Sequence, residues 1–226
     1  MSKKTLITLL FYFATCFCVL ATGQPVRAVS LAPVPAPKHA TVSLISDSLF
    51  QRMKAGGSWK ADTPAALRAE LRHLRLYYVD AEGCTRQGEM IVNRLIARDV
   101  AEIFDSLYRA NYPIARIALI DEFGADDDRS MAANNTSAFN YRTMTGSTTG
   151  RISVHGRGLA IDLNPLWNPY VKGKVVKPKG ARRTPQITHA DLAYRLFRAH
   201  GFTWGGDWRS LKDYQHFEKT AFGPSR

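Results

Sequence analysis

A histidine and an aspartate lie seven residues apart in the second half of the chain, as His155 and Asp162. A further histidine, His216, follows much later. Two imidazoles and one carboxylate are ligands that zinc prefers, and three protein ligands with an open fourth position are typical of catalytic zinc sites. The three residues therefore predict one zinc ion per chain.

A fourth side chain has the chemistry of a general base. Asp213 precedes His216 by three residues, so its carboxylate can lie beside the metal without binding it. There it could take a proton from a water that the metal activates and return it to the leaving amine. Arg142 is our candidate cation for the transition-state oxyanion. We expect Trp208 and Tyr214 to line the substrate cleft, together with Trp204.

The elements that must position these residues are predicted from apolar periodicity. Alternation of apolar and polar residues predicts a strand over 71–79, and a turn joins it to a return strand over 88–93. Helical spacing of apolar residues predicts a helix over 95–110. A nearly continuous apolar run predicts a buried central strand over 114–120, and a third strand is expected over 159–163.

Glycine and proline mark several boundaries of the remaining predicted segments. We expect helices over 43–55 and 188–200, the second with Thr188 as its N-cap. The polar stretch 121–150 is expected to form one long functional loop. Four smaller features complete the prediction: a helical turn beginning at Pro64, a hairpin over 170–176, a basic loop over 178–185, and short strands over 202–204 and 216–218. The predicted fold class is α+β, with a small central antiparallel sheet and flanking helices.

The N-terminus resembles a secretory leader. Two lysines precede an uncharged apolar run over residues 5–21, and small residues follow it. This pattern predicts a signal peptide over 1–28 and export to the periplasm or cell envelope. The apolar run is shorter than the ~20 residues of a usual membrane span, so we expect no stable membrane insertion after cleavage. A lipid anchor at Cys16 or Cys18 is the alternative.

Composition narrows the class of partner. The formal net charge of +12 favours attraction to an anionic envelope. Nucleic acid is not an expected partner, because the cations are scattered and no aromatic stacking platform is evident. After leader removal Cys84 is the one remaining cysteine, so an intrachain disulfide is excluded and the fold depends on its core or on metal. We expect a monomer.

The two motifs together resemble a known group of enzymes. The pattern S-x-H-x-x-G-x-A-x-D over 153–162, followed by D-x-x-H over 213–216, is similar to the LAS group of zinc peptidases. Within that group it looks like the VanY-like D-alanyl-D-alanine carboxypeptidases and L-alanyl-D-glutamate endopeptidases. Segments 134–142 and 204–208 also resemble the VanY-like branch, and the likeness extends over about residues 70–218.

The resemblance implies a LAS or hedgehog-like peptidase fold, one zinc, and cleavage of peptidoglycan stem peptides. It implies that Asp213 is the catalytic base and that Arg142 faces the substrate, and it places Ser153 at the site. The predicted organisation is a signal peptide, a linker with an N-terminal segment over 29–62, and a zinc peptidase domain over 63–226. The alternative is a non-catalytic cell-wall-binding module with a structural zinc. A carboxypeptidase would also need a cation for the terminal carboxylate, from Arg142 or the basic loop.

Overall fold

A computed structural model describes residues 39–144 and 147–221. The predicted leader, with Cys16 and Cys18, and most of the predicted linker lie outside the described residues. Among the residues that are described, no helix combines the length and the apolar character that crossing a membrane requires.

An antiparallel sheet in the order β1-β2-β3 forms the N-terminal half. Its strands are β1 (Thr41–Leu44), β2 (Leu71–Val79) and β3 (Thr85–Asn93). The predicted hairpin is confirmed, and its second strand begins three residues earlier than expected. The predicted helix start at residue 43 is wrong, because residues 41–44 pair with β2 instead.

The described part of the chain contains five α-helices: α1 (Asp47–Gly56), α2 (Leu67–Glu70), α3 (Ala97–Arg109), α4 (Asp127–Ala132) and α5 (Leu192–Ala199). The predicted N-cap Thr188 of the last helix is wrong. Asp191 caps it, since its carboxylate accepts the backbone N–H of Ala193 at 2.8 Å. The same carboxylate accepts the Tyr112 hydroxyl at 3.2 Å, which ties the helix start to the segment after α3.

The main core lies between α3, β2 and α5. Val100, Ile103 and Leu107 are fully buried on one face of α3, as the predicted helical spacing requires. The rings of Phe104 in α3 and Phe197 in α5 meet edge to face at 6.4 Å. Residues 45–59, which precede the predicted domain boundary, pack against this body through a second cluster that includes Leu71 and Phe139.

The predicted central strand over 114–120 is wrong, although its residues are mostly buried. Two residues, β4 (Arg116–Ile117), pair in parallel with β5 (Asn135–Thr136), and a 3-10 helix begins at Ile120. At Ala118 the Asn135 side chain makes the hydrogen bonds that a neighbouring strand would otherwise make. Its Oδ1 accepts the Ala118 N–H at 2.8 Å, and its Nδ2 donates to the Ala118 carbonyl oxygen at 3.0 Å. Residues 121–150 therefore contain α4 and β5 rather than one structureless loop.

Two further antiparallel sheets form the C-terminal half, in the orders β6-β11-β9 and β10-β7-β8. Their strands, in chain order, are β6 (Ala160–Asp162), β7 (Tyr170–Lys172), β8 (Val175–Lys177), β9 (Thr203–Trp204), β10 (Lys212–Asp213) and β11 (His216–Glu218). The α+β class and the predicted hairpin around Gly173 are confirmed. The described β structure is divided among several small sheets rather than gathered in one central sheet.

Candidate metal centre

The pairing of β6 with β11 brings two of the predicted ligands together. Asp162 and His216 are direct partners in the antiparallel register, and Ile161 is paired with Phe217. Since successive side chains of a strand point to opposite faces, Ile161 and Phe217 enter the core while the polar pair faces the other side. Both apolar side chains are fully buried, and the Phe217 ring stacks on Phe197 at 4.1 Å. Because these two apolar side chains are held in the core, the backbone positions of Asp162 and His216 are fixed. Their side chains point to the opposite face of the sheet.

His155 reaches the same place from a single 3-10 turn over 155–157. Ser153, which precedes the turn by two residues, stabilises its start, since the Ser153 hydroxyl oxygen accepts the Gly156 N–H at 2.9 Å. Gly158 ends the turn at a φ of +68°, and a Cβ there would lie 2.8 Å from the Asn93 nitrogen of β3. Glycine is thus required both for the left-handed backbone and for the close approach to the sheet.

Three donor side chains converge at the centre of the site, with both carboxylate oxygens of Asp162 close to the histidines. The distances are 3.0 Å from His216 Nδ1 to Asp162 Oδ1, 3.2 Å from His155 Nε2 to His216 Nδ1, and 3.3 Å from His155 Nε2 to Asp162 Oδ2. Tetrahedral zinc with ligands at about 2.0–2.1 Å separates neighbouring donors by about 3.3 Å. The donor types and their spacing therefore fit a zinc ion. Among the described residues, this is the one group of three acidic, histidine or cysteine side chains close enough to share a metal.

The pKa values of Asp162 and His216 are shifted in opposite directions by their mutual contact. Burial alone would raise the pKa of Asp162, but His155 and His216 hold it well below its usual range. Burial would lower the pKa of His216, yet its hydrogen bonds to Asp162 and Glu218 raise it to about 10. The site thus concentrates negative charge around the imidazoles, which favours a bound cation.

Asp213 lies on the neighbouring sheet, where β10 pairs with β7. Burial and the charge of Asp162 raise the pKa of Asp213 to about 6, and both site histidines act on it in the opposite direction. Its Oδ1 is buried and has no hydrogen-bond partner among the described residues. A Cβ on Gly205 would lie 2.5 Å from the Asp213 carbonyl oxygen, so this glycine allows β10 to approach the centre. The structure therefore brings the predicted base to the predicted ligands.

Glu218 is a site residue that was not predicted. Its Oε2 lies 3.1 Å from His216 Nε2, on the side of the ring away from the donor cluster. This contact, with burial opposing it, lowers the pKa of Glu218. The signal was present in the sequence, since residues i and i+2 of a strand share one face. It was missed because that spacing was not applied beyond the ligand itself.

The His155 ring has its own acceptor on the far side. Its Nδ1 donates to the carbonyl oxygen of Ala138 at 2.7 Å. The imidazole nitrogen that faces away from the donor cluster is therefore hydrogen-bonded in both histidines. In His155 the partner is a backbone carbonyl, and in His216 it is a carboxylate. Such outer partners fix which ring nitrogen is free to bind metal.

The predicted substrate residues are less uniformly placed. Trp208 lies against the ligand ring of His216, with centroids 5.2 Å apart, and Tyr214 packs at 5.8 Å from Trp204. Arg142 forms an ion pair with Asp127 of α4. Its carbonyl oxygen accepts the Ser153 N–H at 3.0 Å, which joins this segment to the His155 turn. The roles predicted for Arg142, Ser153, Trp208 and Tyr214 in substrate binding stay predictions.

The acidic run and the basic loop have partners within the fold. Asp126 caps α4, and Asp128 pairs with Lys177 of the hairpin at 3.2 Å. The guanidinium of Arg182 lies 5.5 Å from the Trp167 ring. These contacts account for part of the charge at both segments without a ligand.

Comparison with known families finds a match to the C-terminal part of the chain. A family model described as D-alanyl-D-alanine carboxypeptidase matches residues 146–219. The matched segment includes the three donor residues, the buried Asp213 and the outer Glu218. The match supports a hydrolase of the peptidase type. No solved structure matches the chain.

Proposed function

We propose that this protein is an exported zinc peptidase that hydrolyses peptidoglycan stem peptides. The bond is of the D-Ala-D-Ala carboxypeptidase or the L-Ala-D-Glu endopeptidase type. The observation that carries the proposal is the convergence of three donors beside a buried carboxylate with an unpartnered oxygen. The family match over 146–219 supports the peptide substrate. A LAS-type fold for the described body, and a peptidase domain over 63–226, are part of the same proposal.

His155 Nε2, Asp162 and His216 Nδ1 would hold the zinc. When bound, zinc supplies the Lewis acidity that lowers the pKa of a water and polarises a carbonyl oxygen. Three protein donors rather than four favour a catalytic site, since structural zinc sites are closed by four protein ligands. This count, among the described residues, argues against the alternative of a wall-binding module with a structural zinc.

The protein's own groups would handle the proton. Asp213 Oδ1 has a free acceptor position, so it can take the proton of the attacking water and pass it to the leaving amine. Burial keeps competing water away from this oxygen. Trp208 would form the wall of the cleft beside His216, and Arg142 would face the substrate carboxylate or the developing oxyanion.

The test is digestion of purified muropeptides by the zinc-loaded protein, followed by mass spectrometry. The mass of the released fragment identifies the bond: terminal D-alanine for a carboxypeptidase, or a peptide beginning at D-glutamate for an endopeptidase. Asp213→Asn keeps the side chain's size but removes its basicity, so we expect retained zinc and a rate lower by about 10²–10⁴-fold. Hydrolysis by this variant at the wild-type rate would sink the assignment of the base.

The location of the protein is tested separately. We propose that residues 1–28 direct export, so the mature N-terminus should lie near residue 28 when the full chain is expressed with a functional secretion system. Edman sequencing or intact-mass measurement of the exported protein checks this. A lipid mass on Cys16 or Cys18 would instead support anchoring.

A further inference from the structure

We propose that Glu218 is a positioning residue of the metal centre, one that selects the nitrogen through which His216 binds. The inference depends on the proposed metal site, and it assigns Glu218 a role in zinc affinity rather than in proton transfer. Glu218 is not itself a member of the donor cluster. Its side chain reaches the site through the hydrogen bond to His216 Nε2.

The backbone holds Glu218 in a fixed place. β11 is the middle strand of its sheet, and Glu218 is paired with Ala160 on one side and with Thr203 on the other. The Thr203 hydroxyl also donates to the Glu218 carbonyl oxygen at 3.2 Å. Between His216 and Glu218, the fully buried ring of Phe217 anchors the strand in the core. The two polar side chains therefore share one face by construction, without a flexible loop between them.

The hydrogen bond from His216 Nε2 to Glu218 determines which nitrogen of the imidazole is available to bind a metal. A neutral imidazole carries one N–H and one lone pair, and the hydrogen bond made by one nitrogen decides which is which. With its Nε2 proton donated to Glu218, His216 can give up the Nδ1 proton that it shares with Asp162 in the metal-free protein. It then presents Nδ1 to a cation held beside Asp162 Oδ1 and His155 Nε2, which lie 3.0 and 3.2 Å away. Without that acceptor, the ring could place its proton on Nδ1 and donate it to Asp162, which would block the ligand position.

The other ligand histidine shows the mirror arrangement. His155 gives its Nδ1 proton to the Ala138 carbonyl and presents Nε2 to the centre. A charged carboxylate is a stronger acceptor than a carbonyl and makes the imidazole a better electron donor. We therefore expect Glu218 to affect zinc affinity through His216.

A second histidine–glutamate contact in the same protein provides a matched control. In the N-terminal sheet, His73 Nε2 lies 2.8 Å from Glu89 Oε1. The exposed fractions of the two side chains are 10% and 28%, against 8% and 22% for His216 and Glu218. His73 belongs to no donor cluster among the described residues. Glu89 also accepts a hydrogen bond from Arg52 at 3.0 Å. Its loss should therefore disturb packing and charge at least as much as the loss of Glu218, without reaching the metal.

The experiment measures zinc affinity in the purified mature protein by competition with a chromophoric chelator. Glu218→Ala should raise the zinc Kd by about 10–100-fold, the range found when an outer partner of a metal ligand is removed. Glu218→Gln should lose less, because its amide oxygen still accepts the Nε2 proton. Glu89→Ala should leave the Kd unchanged. Circular dichroism of each metal-free variant checks that it folds, and Glu218→Gln serves if Glu218→Ala does not.

Cobalt substitution gives a readout that a merely structural role would not move. We expect the visible absorption of the cobalt-loaded protein to shift in Glu218→Ala and to stay at the wild-type position in Glu89→Ala. An unchanged zinc Kd in Glu218→Ala, or an equal loss in Glu89→Ala, would overturn the proposal. Failure of the proposed function looks different: the wild type would bind zinc with Glu218-dependent affinity but would not cleave muropeptides.

Discussion

His216 and His73 are both buried histidines on β-strands, and each has a glutamate carboxylate within 3.1 Å of its Nε2. The pKa values of the two histidines are shifted in opposite directions. Burial lowers the pKa of His73 despite Glu89, whereas Asp162 and Glu218 overcome burial and raise the pKa of His216 to about 10. The difference lies at the other nitrogen, where His216 meets further donors. A single carboxylate beside Nε2 is thus an ordinary structural contact. The convergence of Asp162 and His155 at the other ring nitrogen makes His216 part of a candidate metal centre.

We expect the largest effect when one of the three converging side chains is removed. His155→Ala removes one donor, so we expect zinc to be lost at micromolar concentration. Muropeptide hydrolysis should fall well beyond the roughly 100-fold that the loss of an outer partner costs. Zinc content by mass spectrometry and the initial rate of hydrolysis check this. His73→Ala is the matched control, and an equal loss of zinc there would contradict the comparison.

A second effect separates stability from metal binding. Phe217→Ala should lower the free energy of unfolding by about 3–5 kcal/mol, because a fully buried ring stacked on Phe197 is lost. It should also weaken zinc binding, since the strand that carries His216 loses its anchor. Leu74→Ala, next to His73, should cost about 2–5 kcal/mol and leave the zinc Kd unchanged. Urea denaturation and chelator competition together provide both quantities.

Zinc itself should stabilise the folded protein. At a free concentration of 100 times its Kd, a ligand that binds the folded state alone adds about 2.7 kcal/mol to the free energy of unfolding. We expect a rise of this size for the wild type and for His73→Ala in chelator-buffered zinc. His216→Ala should show no rise. A zinc-dependent rise in His216→Ala would indicate that the metal binds elsewhere.

The smallest effect concerns pH at the control pair. The pKa of His73 is lowered by burial, while Glu89 opposes this shift and Arg75 and Arg52 add to it. The folded state therefore binds fewer protons here than the unfolded state, and stability is lost as the pH falls below the usual histidine pKa of about 6.5. In zinc-free buffer, the unfolding free energy of the wild type relative to His73→Gln should decrease between about pH 7.5 and pH 5.5. A difference that is constant or rises on acidification would reverse the assigned sign.

The sequence predicted those parts of the molecule that local periodicity determines. The β2–β3 hairpin and α3 have alternating or helical apolar patterns, and the structure confirms them. The three candidate ligands could be named from the sequence because zinc chemistry restricts residue type and spacing. Their convergence could be stated, but the register that pairs Asp162 with His216 could not, because the two strands are far apart in the chain.

Other features depend on partners that a local pattern does not contain. β1 is formed by four exposed residues whose strand state comes from pairing with β2. The run over 114–120 has the composition of a strand, yet the Asn135 side chain occupies the place of its neighbour at Ala118. A role for Glu218 can be inferred only after Nδ1 has been taken as the nitrogen through which His216 binds the metal. For β1 and for the run over 114–120, a hydrogen bond to a residue distant in the chain overrides the local signal.

The most direct test is the position of zinc in crystals of the metal-loaded protein, located by anomalous scattering at the zinc absorption edge. We expect one strong peak, within about 2.0–2.2 Å of His155 Nε2, an Asp162 carboxylate oxygen and His216 Nδ1. We expect no peak beside His73 and Glu89. A zinc ion bound through His216 Nε2, or one located away from the three ligand residues, would contradict this expectation.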